Sequence, residues 1–388
     1  MQIYLDHSAT TPPRPEAIAA MEQVFTRQWG NPSSIHGWGE RAAIALETAR
    51  LQVAALLNAS PEAIVFTSGG TEADNLAILG VARHYQRPQH LIISSIEHPA
   101  VSEPARFLES QGWQVTRLPV DRLGRVNPAD LAAAFRPETV LVSILYGQSE
   151  VGTLQPIDQL GTLCRDRGVL FHVDAVQVAG RLPLDVQQLP VDLLSLSSHK
   201  LYGPQGAGAL YVRPGVDLIP LLGGGGQEFG LRSGTQPVPV IAGFGVAAAL
   251  AAQEMAAESL RLQGLRDRLF DLLADCPDLV PTGDRLHRLP HHVSFCARHT
   301  DGEMLSGKTI VRQMNLAGIA ISAGSACHSG KTVPSPILKA MGYSDRLAQS
   351  AIRLTLGHST TLADIDWTAT VLRQVLARLT PPLSLTAL

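Results

Sequence analysis

Leu193-Leu194-Ser195-Leu196-Ser197-Ser198-His199-Lys200-Leu201-Tyr202-Gly203-Pro204 is the segment from which the architecture unfolds. Residues 193–196 read as a strand buried on both faces, because the run is mostly apolar and barely alternates. Gly203 and Gly206 then make a loop. Lys200 stands just past the strand's carboxyl end, the edge where open α/β sheets bind ligands. Of 31 basic residues only four are lysine: Lys200, Lys308, Lys331 and Lys339. Arginine therefore keeps the surface wet, and Lys200 needs another reason for its place. An amine beside an apolar strand end is partly desolvated, which lowers its pKa and suits it to Schiff-base chemistry.

The same grammar repeats on both sides. Short runs rich in Val, Ile and Leu mark strands at 64–66, 91–93, 115–118, 140–145, 170–173 and 209–212. Helical patterns at 71–85, 99–110, 128–135 and 156–167 separate them, several with proline near the first turn. This alternation predicts an α/β domain with a mainly parallel sheet and right-handed crossovers. The pattern changes near Pro237. Helices at 240–258 and 260–274, a strand at 292–295, a helix at 302–315, a strand at 319–321 and a closing helix at 362–379 predict a smaller α+β domain.

The chain has 388 residues, so roughly 150 residues per domain gives about two to three domains. Hydrophobic residues make up 45% and charged residues 17%, which excludes a disordered or fibrous chain. The 31 Lys+Arg and 34 Asp+Glu give a net charge of -3, and that balance offers no pull toward nucleic acid or an anionic membrane. Cys164, Cys276, Cys296 and Cys327 are too scattered for a disulfide framework. The opening residues lack the basic and apolar regions of a signal peptide, and the apolar stretch at 240–252 is too short to span a bilayer. A cytoplasmic location is expected.

Two further segments carry chemistry. Thr67-Ser68-Gly69-Gly70-Thr71-Glu72-Ala73-Asp74-Asn75 follows a strand and opens a helix, where glycine and the helix terminus favour an anion. Leu170-Phe171-His172-Val173-Asp174-Ala175-Val176-Gln177 places Asp174 at another strand end. Each alone is also what a capped helix requires. Together they supply a phosphate cradle, an acid and an amine, the set that pyridoxal phosphate needs.

The chain resembles the NifS/IscS-type cysteine desulfurases of the class V aminotransferases, which are fold-type I pyridoxal-phosphate enzymes. The resemblance runs from Tyr4-Leu5-Asp6-His7-Ser8-Ala9-Thr10-Thr11-Pro12 through Gly30-Asn31-Pro32-Ser33-Ser34, the three segments above, and Arg232-Ser233-Gly234-Thr235. It ends with Ser322-Ala323-Gly324-Ser325-Ala326-Cys327 and Ile352-Arg353-Leu354-Thr355-Leu356-Gly357. The resemblance implies a large cofactor domain at 15–258, and a small domain formed by 1–14 and 259–388 with a Cys loop at 322–336. It makes Lys200 the covalent carrier of the cofactor, Asp174 the partner of the ring nitrogen and Gln177 that of the ring hydroxyl. It assigns the phosphate to Gly70, Thr71, Ser197 and His199, and gives Thr235 to the phosphate of a neighbouring subunit, hence a homodimer. His98 becomes the ring-stacking acid/base and Arg353 the anchor of the substrate carboxylate. Cys327 becomes the sulfur acceptor, and a transient iron–sulfur ligand with a scaffold partner. The implied reaction takes sulfur from L-cysteine, leaves alanine, and passes the persulfide to an acceptor or scaffold protein.

Cys327 also makes sense from its surroundings, a small polar stretch with His328 and Lys331 nearby to favour the thiolate. One departure bears on substrate: Gln148-Ser149-Glu150 stands where the family shows Asn-Asn-Glu, so Ser149 takes a carboxylate-contacting position. A second puts Gly223 where the family tends to have His. The rival enzyme reading is a cystine or selenocysteine lyase, which needs no Cys327. A rival outside enzymes is a metal protein using His287, His291, His292, Cys296 and His299, since Cys296-x-x-His299 has ligand-like spacing.

Overall fold

The computed structural model describes residues 2–298, 305–324 and 333–379. The chain opens with β1 (Ile3–Tyr4), α1 (Pro15–Arg27) and α2 (Gly37–Leu56). Strands and helices then alternate: β2 (Ile64–Thr67), α3 (Gly70–Ala82), β3 (His90–Ser94), α4 (Pro99–Ser110), β4 (Gln114–Leu118), α5 (Pro128–Ala134), β5 (Thr139–Leu145), α6 (Ile157–Arg165) and β6 (Leu170–Asp174). β7 (Leu193–Ser197) and β8 (Gly208–Val212) complete a seven-stranded sheet of order β2-β8-β7-β6-β5-β3-β4. Strands β3 to β7 pair parallel, and β8 runs antiparallel to both β7 and β2. Central strands covered on both faces explain the apolar runs; only the edge strand β4 exposes residues, Gln114 and Arg117.

Where two helices were expected at 240–258 and 260–274, there is one, α7 (Val238–Leu272), of 35 residues. The junction at Glu258-Ser259-Leu260 holds neither glycine nor proline, so nothing stops the helical ladder. Ser259 could have capped a new helix, but its hydroxyl donates to the Arg181 carbonyl instead. The first half of α7 packs Ile241, Phe244, Ala247 and Ala248 into the core of the large sheet. The second half packs Leu262, Leu265, Leu269 and Phe270 into a separate core. It is the one described helix long and apolar enough to cross a membrane, and these contacts make it a core helix.

The second core lies against β9 (Leu279–Pro281), β10 (His292–Ala297), α8 (Gly307–Leu316), β11 (Ile319–Ala320) and β12 (Ser322–Ala323). After these come α9 (Pro336–Ala340), α10 (Asp345–Gln349), β13 (Ala351–Thr355) and α11 (Leu362–Leu379). β12-β13-β10-β9 form an antiparallel sheet, while β1 pairs parallel with β11. The helix expected at 302–315 begins at Gly307, because Ser306 is extended at its N-cap; residues 302–304 lie outside the described residues. Of the strand expected at 319–321 only Ile319–Ala320 forms, as β11; Ile321 falls between β11 and β12, which lie in different sheets. After β1, Asp6 bridges to Thr355, and residues 8–11 then cross to the carboxyl end of β7.

Candidate active site

The loop after β7 is held by the N-terminal segment. Lys200 Nζ donates to the carbonyls of Ser8 (2.6 Å) and Ala9 (2.8 Å). The Thr11 hydroxyl and N–H both donate to the His199 carbonyl, at 2.8 and 2.9 Å. His199 Nδ1 meets Thr10 Oγ1 at 3.1 Å. Burial, assisted by Arg353 and Arg181, lowers the Lys200 pKa to about 8. Roughly a tenth of the amine is then neutral at pH 7, which a nucleophile or base requires.

Asp174 ends β6, buried, with Oδ1 accepting the Val176 N–H at 2.9 Å. Burial raises its pKa, while His98 and Lys200 draw it down. Gln177 donates through Nε2 to the Ser8 carbonyl (3.0 Å), and its Oε1 is buried without a partner among the described residues. His98 caps α4: Nδ1 accepts the Ala100 N–H at 3.1 Å, which leaves the proton of the neutral ring on Nε2. Its pKa is lowered by desolvation, with Asp174 pulling upward and Lys200 downward.

The first turn of α3 closes the site from the other side. A Cβ on Gly70 would stand 2.7 Å from Val176 Cγ2 and 3.5 Å from Ser197 Cβ, so glycine is what lets this helix end approach the ends of β6 and β7. Thr71 is exposed beside it, and Ser197 ends β7. These groups fit pyridoxal phosphate. There is a helix N-terminus for the phosphate, a buried carboxyl for the ring nitrogen and an unpartnered Gln177 oxygen for the ring hydroxyl. A depressed-pKa amine stands within the same cluster.

Arg353 approaches from β13. Its Nη2 donates to Asp6 Oδ1 (2.7 Å) and its Nη1 to the Ser149 carbonyl (3.0 Å), while Nε is buried and has no partner among the described residues. Ser149 thus meets the guanidinium through its backbone, which any residue supplies, and the same carbonyl accepts from His292 Nε2 at 3.0 Å. Thr235 is exposed, and among the described residues no hydrogen bond joins its side chain to the Lys200 cluster. Cys327 and His299 lie outside the described residues. The histidines of the metal reading part company. His287 pairs with Asp284 at 3.1 Å, His291 meets Ser8 Oγ at 3.1 Å, and His292 turns to Ser149. Among the described residues no three His, Cys, Asp or Glu side chains are placed to hold a metal ion.

Sequence reading gave no role to Asp6, Asp74, Glu97 or His172. Glu97 accepts the Leu145 N–H (3.0 and 3.1 Å) and the Ser94 hydroxyl, and burial pushes it up to about 8. The signal for Asp74 and His172 was present in the quoted segments, as a carboxylate in an apolar helix and an imidazole in a buried strand.

Known proteins resemble this chain over nearly its whole length. The aminotransferase class-V family matches residues 3–367. The cysteine desulfurase IscS of Pseudomonas entomophila is 47% identical over 375 residues, covering 95% of this chain and 91% of that protein. The enzyme of the same name from Pectobacterium carotovorum is 46% identical over 98% of this chain and 94% of its own. Among solved structures, a NifS-like protein superposes with a TM-score of 0.90 at 34% identity, over 97% of this chain and all of the other.

Proposed function

The chain belongs to the aminotransferase class-V family, and from that premise we propose that it is a pyridoxal-phosphate-dependent cysteine desulfurase. Its substrate is L-cysteine, its carbon product alanine, and its sulfur leaves as a persulfide on Cys327. The supporting observation is that Lys200 Nζ and Gln177 Nε2 donate to the same Ser8 carbonyl, which sets the reactive amine beside the ring-hydroxyl ligand.

Pyridoxal phosphate, when bound, supplies an electron-withdrawing ring conjugated to the substrate amine. Gly70, Thr71, Ser197 and His199 would hold its phosphate, Asp174 its ring nitrogen and Gln177 its hydroxyl, and His98 would pack against the ring. Arg353 takes the substrate carboxylate, using the Nε that no described residue occupies. Lys200, with a pKa of about 8, removes the Cα proton. The Cys327 thiolate forms the new S–S bond as the substrate C–S bond breaks, and the carbon skeleton is protonated to alanine.

Residues 15–258 form the cofactor domain, and residues 1–14 with 259–388 the small one. A cytoplasmic homodimer fits the exposed apolar side chains of Trp29, Ile35, Trp38 and Phe229, with Thr235 reaching the partner's phosphate. The persulfide passes to an acceptor protein such as an iron–sulfur scaffold. Incubation with L-cysteine should give alanine, and mass spectrometry should find one added sulfur on the peptide containing Cys327. Cys327→Ser should still bind L-cysteine and alter the cofactor's absorbance, yet release almost no alanine. Pyruvate as the main product, with no sulfur on that peptide, would establish a lyase instead.

A further inference from the structure

Beneath Asp174, the sheet is polar where a covered sheet should be apolar. Ser143 on β5, His172 on β6 and Ser195 on β7 form a row with no exposed surface. His172 Nδ1 meets Ser143 Oγ at 2.8 Å, and its Nε2 meets Ser195 Oγ at 2.9 Å. His172 and Asp174 are two apart on one strand and share a face. Asp74 descends on this row from α3, only 1% exposed. Its Oδ1 lies 3.5 Å from His172 Nε2 and has no hydrogen-bond partner among the described residues.

A carboxylate anion here would lack a counter-ion. Among the described residues no lysine or arginine pairs with Asp74, and His172 is held neutral by burial, with its pKa near 3. Burial raises the Asp74 pKa well above the ordinary value, and the charges of Asp174 and Glu97 add to the shift while Ser195 opposes it. Neighbouring buried carboxyls do not ionise independently; the first to lose its proton holds the other's in place.

We propose that Asp74 keeps its proton and acts as a positioning residue. With His172, Ser195 and Ser143 it forms a neutral floor, so that Asp174 presents the one negative charge to the cofactor's ring nitrogen. This rests on the cofactor reading given above. The neutral His172 ring is held between Ser143 and Ser195, and its Nε2 lies 3.5 Å from the Asp74 carboxyl.

Infrared difference spectra of the apoprotein test the proton directly. Wild type should show a carboxylic-acid carbonyl band that is missing from Asp74→Asn. In the loaded protein, Asp74→Asn keeps a neutral polar group, so the pH midpoint of the cofactor's absorbance should move by less than about half a unit. Asp74→Leu removes the polar contact and should weaken cofactor binding about tenfold. Three results would each overturn the proposal: no acid band lost in Asp74→Asn, a midpoint shift of about one unit or more, or unchanged binding in Asp74→Leu. If Asp74→Leu fails to fold, the Asp74→Asn measurements still decide. If wild type binds no pyridoxal phosphate, the cofactor reading fails while the apoprotein spectra still report on Asp74.

Discussion

The two ends of the cleft bury opposite kinds of group. At one end stand three carboxyls, Asp74, Glu97 and Asp174, and no arginine is paired with any of them among the described residues. At the other end stand Arg181 and Arg353 with His7, His291 and His292, and the acid in contact there is Asp6 on Arg353. The three histidines are kept neutral by burial, so the fixed positive charge comes from the arginines. Lys200 feels both ends: Arg353 and Arg181 lower its pKa, and Asp174 and Asp6 raise it. Buried groups left short of counter-ions cost several kcal/mol unless a ligand completes them. The acidic end therefore suits a cationic ring nitrogen, and the basic end a substrate carboxylate.

Removing the group between the ends should have the largest effect. Lys200→Ala should lose the borohydride-fixable link to the cofactor and roughly a thousandfold or more of its activity. A label found instead on Lys308, Lys331 or Lys339 would move the site elsewhere.

At the basic end, Arg353→Lys keeps the charge but loses the planar fork. The KM for L-cysteine should rise roughly 10- to 100-fold, with a smaller change in kcat. A KM equal to that of wild type would detach Arg353 from the substrate.

At the acidic end the expected effect is smallest and lies in stability. The folded pKa of Glu97, about 8, exceeds its ordinary 4.5, so the native state holds a proton that the unfolded chain releases. That contribution is complete below pH 4.5 and is lost as pH rises through about 8. Glu97→Gln should flatten the fall in the urea midpoint across this window. An unchanged slope would mean that Glu97 is already ionised in the folded protein.

The parallel sheet was legible because strands covered on both faces need unbroken Val, Ile and Leu, and Asp174 and Lys200 stand out at the ends of such runs. The length of α7 was not. Its first half is apolar and its second half polar, a change of packing partner that reads like a change of element. Ser149 was legible as a departure from Asn, but its contact with Arg353 runs through the carbonyl, which no side-chain pattern records. Asp6 and Asp74 were printed in the quoted segments. Their meaning lies in Arg353, 347 residues away, and in His172 on another element, so only the tertiary fold supplies it.

The crossing of residues 3–11 between the two sheets sets an order of assembly. These residues are made before the large sheet, yet Ile3 pairs with Ile319, and Asp6 contacts Arg353 and bridges to Thr355. The carbonyls of Ser8 and Ala9 that receive the Lys200 amine lie on the same segment. The large sheet can form from residues 64–212 during synthesis, but the cleft has no complete wall until residue 355 has been translated. Loop closures this long are slow, so a stretch made before the large sheet is among the last to find its place.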